Sequence, residues 1–167
     1  MTSIALVTNP ISGSGRSLQV CSALQSSLVE AGHAVTLVES SLDPVQSWLD
    51  PVLRDVDLVL AAGGDGTVRM VAESASRTGT PLHQIPMGTE NLFARTFGMT
   101  AGPAAVIDAI KAWRGEQLDM IEVAGTRGLL MVGCGFDAAV VCDLAARRRG
   151  PISHWTYVPI VLRQWMR

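Results

Sequence analysis

Asp65 stands among glycines, in Gly63-Gly64-Asp65-Gly66-Thr67, where a carboxylate and a compliant backbone could share one ligand. Glycine lets the main chain turn with positive φ and come close to a bound group. A helix starting at such a turn offers unpaired N–H groups and the positive end of its dipole, which together make an anion site. A bare carboxylate would repel phosphate. Asp65 makes sense there if a magnesium ion, a sugar hydroxyl or water lies between the two. The plainer reading is a tight turn in which Asp65 caps the next helix.

Two further turns carry comparable chemistry. Asn9-Pro10-Ile11-Ser12-Gly13-Ser14-Gly15-Arg16 supplies an amide at Asn9, hydroxyls at Ser12 and Ser14, a guanidinium at Arg16 and glycine backbone at Gly13 and Gly15. That set could line a phosphate or an adenosine. No Gly-Lys-Ser/Thr follows and the Rossmann glycine spacing is absent, so neither standard nucleotide loop is present. The third turn is Pro86-Met87-Gly88-Thr89-Glu90-Asn91, where Thr89 could donate its hydroxyl to a phosphate. Otherwise Thr89 or Asn91 caps the following helix, and the first turn is a solvated serine-glycine loop.

The elements that must position these turns follow from apolar runs and their punctuation. Strands are predicted at 4–8, 35–38, 57–61 and 82–86. Helices are predicted at 16–31, closed by Gly32, at 43–53 with Asp43 as cap and Pro44 at the first helical position, and at 67–76, 91–97 and 103–113. Strands at 118–123 and 129–134, joined across 125–128, read as a hairpin. A helix is expected at 138–149, ended by Gly150-Pro151, before a last apolar segment from Trp155 to Met166. This alternation predicts an α/β fold, a mainly parallel sheet with helices on both faces. Each of the three turns follows a strand and precedes a helix, so all three should lie on one edge, where such sheets bind ligands.

The chain has 167 residues, 48% hydrophobic and 17% charged, enough apolar material for a real core. A net charge of -2 gives no field that would attract nucleic acid. Cys21, Cys134 and Cys142 lack metal or disulfide spacing, so a reducing cytoplasm fits. No signal peptide or membrane-spanning run is expected. His33, His83 and His154 are isolated, and Arg147-Arg148-Arg149 reads as the charged end of a helix rather than a lipid-headgroup site.

Taken together, Asn9-Pro10 with Gly13 and Gly15, then Gly63 to Thr67, then Pro86 to Arg95, resemble the diacylglycerol kinase catalytic domain family of lipid, sphingosine and ceramide kinases. Asp119 in Leu118-Asp119-Met120, and Gly133 to Ala138, fit the same order and spacing. The resemblance implies the N-terminal fold shared with NAD kinases and transfer of the γ-phosphoryl group of ATP to a lipid hydroxyl, with magnesium. It implies an ATP site at Asn9, Ser40, Gly63 through Val68, Gly88, Thr89 and Asn91, with Asp65 acting through metal or water and Asp119 close to that network. Where many relatives have Asn-Glu, this chain has Arg69-Met70, and Arg69 either adds a cation near the phosphates or lies on the helix surface.

The resemblance also implies a β-rich second domain, mostly absent from these residues, that carries the acidic base for the lipid hydroxyl. Residues 1–135 are then the nucleotide-binding domain and 136–167 a helical extension leading to the second. The chain alone is expected to bind ATP without completing turnover. Its partners would be a lipid substrate of the diacylglycerol or sphingoid type and, transiently, a membrane surface in the cytoplasm. An apolar face on 155–166 left uncovered would favour a homodimer. One alternative is an NAD kinase-like enzyme, against which the 86–94 stretch speaks. The other is a nucleotide-binding module without catalysis.

Overall fold

Four apolar segments, β1 (Ser3–Thr8), β2 (Ala34–Glu39), β3 (Leu58–Gly63) and β4 (Leu82–Pro86), make one parallel sheet in the order β2-β1-β3-β4. The computed structural model describes residues 1–9, 16–147 and 154–166. β3 is buried along its whole length and β1 beyond its first residue, which is why both read as unbroken apolar runs rather than alternating ones.

The connections alternate faces for a geometric reason. From β1 the chain moves outward to β2 through α1 (Arg16–Glu30). It then crosses back over β1 to β3 through α2 (Val45–Trp48) and α3 (Asp50–Leu53). Right-handed crossovers running in opposite directions must lie on opposite faces. Accordingly Cys21, Leu24 and Leu28 of α1 pack with Ile4, Leu6, Leu58 and Leu60, joined by Val106 and Ile110 of α6 (Pro103–Ala112). The other face holds Val45, Leu49, Leu53, Val68, Val71 and Phe93 against Ala5, Val7, Val59 and Ala61. These come from α2, α3, α4 (Asp65–Thr78) and α5 (Leu92–Thr96). Each fully buried leucine contributes ~1.5–3 kcal/mol.

Helix ends follow their glycines. Gly32, at φ 87°, lets His33 N–H reach the Leu28 carbonyl (3.0 Å) and its own N–H reach that of Val29 (2.9 Å), closing α1. Gly79, at φ 75°, closes α4 with one bond to the Ala75 carbonyl.

The predicted 43–53 helix is two pieces. Pro51 has no N–H and its ring crowds the preceding turn, so the chain restarts at Asp50. Asp43 does not cap α2, because its carboxylate accepts the Ser41 hydroxyl instead (2.7 Å) and Pro44 takes the cap position.

The hairpin also differs from expectation. β5 (Ile121–Val123) and β6 (Thr126–Gly128) pair antiparallel across Ala124-Gly125, both at positive φ. A two-residue loop of that kind matches strand twist. Thr126 to Gly128, read as turn, is therefore strand, and 131–134 lacks regular structure.

Beyond it, α7 (Phe136–Arg147) and α8 (His154–Trp165) form a pair with a small core of Val140, Leu144 and Ile160. The expected helix end at Gly150-Pro151 lies outside the described residues.

Candidate functional site

The parallel register places the C-terminal ends of all four strands on one rim. Thr8 is level with Glu39 and Ala62, and Gly63 with Pro86. β1 and β3 are neighbours whose connections leave in opposite directions, so the crevice beyond them is the switch point at which such sheets take ligands.

The second turn is built for close approach. Gly64 takes the cap position of α4 with no side-chain cap. Thr67 and Val68 spend their N–H groups on the Gly64 carbonyl (3.0 and 3.1 Å), which leaves the amides of Asp65 and Gly66 at the open end of the helix. Val68 is 1% exposed and belongs to the core, and Thr67 packs its side chain against Gly63. Both side chains are buried in the fold. Asp65 is the first residue of α4 rather than its cap.

The third turn lies directly against the second. A Cβ built on Gly88 would stand 2.6 Å from the Gly64 Cα, so no larger residue fits without a shift. Met87 N–H donates to the Gly63 carbonyl (3.2 Å), and so does the Gln84 Nε2 amide (3.0 Å) from a fully buried side chain. Asn91 sits in the left-handed region, and its carboxamide turns back on Gly88. Asp65 Oδ1 accepts the Phe93 N–H (3.2 Å). Thr89 is exposed in this turn.

Of the first turn, Asn9 lies at the end of β1, while Ser12, Gly13, Ser14 and Gly15 lie outside the described residues. Arg16 opens α1. Ser40, just past β2, donates its N–H to the Thr8 carbonyl (2.8 Å), which puts it on the same rim. Asp119 is exposed in the segment before β5 and, among the described residues, makes no hydrogen bond or ion pair, so it is not joined to Asp65.

Arg69 lies on the helix surface and donates to the Arg127 carbonyl of β6 (3.2 Å). The Arg127 guanidinium in turn reaches the Ser76 hydroxyl (3.2 Å). Sequence reasoning missed Gln84, although a lone amide inside an apolar strand was its signal.

Among the described residues, no group of three His, Cys, Asp or Glu could hold a metal, and no helix is long and apolar enough to cross a membrane. A shallow pocket of about 140 Å³ lies at the opposite end of the strands, between Leu58, Leu82, His83 and Trp113. Burial lowers the His83 pKa there.

The family model "Diacylglycerol kinase catalytic domain" matches residues 3–123, well over half of the chain. The chain belongs to the diacylglycerol kinase catalytic domain family. The chain is 29% identical to "Diacylglycerol kinase" of Mycobacterium tuberculosis, over 98% of the chain and 55% of that protein. It is 38% identical to "Probable lipid kinase YegS-like" of Pseudomonas aeruginosa, over 68% of the chain and 35% of that protein. A diacylglycerol kinase structure from Bacillus anthracis shares the fold, with a TM-score of 0.58 at 23% identity, over 75% of this chain and 49% of that one. The domain therefore spans about half the length of the curated relatives it matches.

Proposed function

We propose that this chain is the nucleotide-binding half of a lipid kinase that transfers the γ-phosphoryl group of ATP to a lipid hydroxyl. The observation that carries the reading is the contact of Gly64 with Gly88 at the C-terminal rim of the sheet. It brings the open amides at the start of α4 beside the turn that bears Thr89, in a chain of the diacylglycerol kinase family. Phosphoryl transfer needs positioning and charge stabilisation above all, which backbone donors at a helix N-terminus supply.

Magnesium would enter with the phosphates of the nucleotide, since the described residues do not offer a full ligand set of their own. Asp65 fits such an ion, because a carboxylate is a hard oxygen donor and, among the described residues, its one hydrogen bond is at Oδ1. When bound, the ion would neutralise charge between phosphate oxygens. Asn9 and Ser40 would flank the nucleotide from β1 and β2. Asp119 would join only through water. The acceptor is a lipid of the diacylglycerol or sphingoid type, met at a membrane surface.

The test is a calorimetric titration with ATP, with and without magnesium, followed by radiolabelled ATP with diacylglycerol in mixed micelles or with NAD. Saturable, magnesium-strengthened binding is expected, and any label transferred should enter lipid. Lack of ATP binding, or label in NAD, would overturn the reading.

A further inference from the structure

Asn91 has a choice of hydrogen bonds and does not make the usual one. At φ 48° and ψ 50° it occupies the cap position of α5, where an asparagine oxygen ordinarily accepts an amide of the helix's own first turn. Its carboxamide instead brackets Gly88, accepting the Gly88 N–H and donating to the Gly88 carbonyl, both at 2.7 Å. Asparagine tolerates this left-handed backbone better than most residues. The α5 amide that this leaves open, at Phe93, is taken by Asp65 Oδ1, 28 residues earlier in the chain. α5 is thus capped by a carboxylate from the start of α4.

The two turns are consequently joined at three points. Gly64 and Gly88 meet backbone to backbone, Met87 N–H binds the Gly63 carbonyl, and Phe93 N–H binds Asp65. We propose that Asp65 and Asn91 are positioning residues which lock the second and third turns into one preformed unit before the nucleotide arrives. Asn91 sets the shape of the third turn, and Asp65 sets its distance from the open amides of α4. Ordering two loops in advance removes that entropic cost from binding. The role in binding rests on the nucleotide reading above, while the lock itself does not.

Two readouts separate these. Amide exchange followed by NMR reports the lock without any ligand. Asp65→Ala should speed Phe93 exchange at least about tenfold, whereas Asp65→Asn, whose carbonyl oxygen still accepts, should stay within roughly threefold of the parent. Asn91→Ala should do to Gly88 what Asp65→Ala does to Phe93. Titration with magnesium and ATP should then show Kd raised about tenfold in Asn91→Ala, a variant that leaves the Asp65 carboxylate in place.

Unchanged Phe93 exchange in Asp65→Ala overturns the lock. An Asn91→Ala protein in which Gly88 exchange speeds while ATP affinity stays at the parent's upholds the lock and overturns its role in binding. A parent chain that shows the expected exchange pattern but binds no ATP upholds the lock and overturns the nucleotide reading alone.

Discussion

Thr8 ends β1 at 4% exposure, and among the described residues its hydroxyl has no hydrogen-bond partner. A buried donor left unpaired is destabilising, and replacing it by an apolar group of the same shape removes the penalty. Thr8→Val should therefore raise stability by about 1 kcal/mol in urea denaturation. A clear loss of stability would mean that the hydroxyl is bonded in the folded protein. Gln84 differs, since its Nε2 is satisfied by Gly63 while Oε1 lacks a partner among the described residues, so the side chain holds the second turn with one acceptor unused there. At this scale the turn between β3 and α4 was legible from its glycines alone. The partner of Asp65 was not, because Phe93 lies 28 residues away and only the packed structure joins them.

Among elements, α3 and α4 are fastened by one polar cluster. Asp50, 5% exposed, accepts both Arg77 Nε and Nη2 at 2.8 Å and also the Ser74 hydroxyl. The hydrogen-bonded Arg77 guanidinium holds the Asp50 carboxyl below its usual range, against the opposing pull of burial. A carboxyl with a depressed folded-state pKa stabilises the fold above its unfolded value near ~3.9, and that contribution is lost as pH falls through the folded value. Asp50→Asn should destabilise the chain at neutral pH by about 2 kcal/mol, below the range for a fully buried pair because the Arg77 side chain is 28% exposed. Its stability should also fall less between pH 5 and 2 than the parent's (approximate bounds). Chemical denaturation across that range measures both.

Sequence periodicity revealed which helices exist, because Cys21, Leu24 and Leu28 recur on one face. It misjudged local breaks where a single residue decides. Pro51 divided a helix read as continuous, and Gly125 drew the hairpin into a tighter loop than the neighbouring glycines suggested.

For the whole molecule, the sheet domain is well covered while α7 and α8 are not. Phe136 is 49% exposed, Leu162 51% and Trp165 77%. Apolar surface of this kind drives association. The chain should self-associate as its concentration rises, and Leu162→Glu with Trp165→Glu should shift it toward monomer in sedimentation velocity. A parent that remains monomeric throughout would contradict this. The parallel α/β architecture was legible from the alternation of strands and helices. The strand order was not, since it depends on which helix covers which face.

Arg69 follows Asp65 by one helical turn, about 6 Å along the axis at 1.5 Å per residue. It grips the main chain of β6, and Arg127 grips α4 again at Ser76. The hairpin is thus riveted at two points to the same rigid rod whose tip carries Asp65. As long as both rivets hold, a sideways pull on β6 is passed to that rod and along it toward the glycine elbow at Gly64.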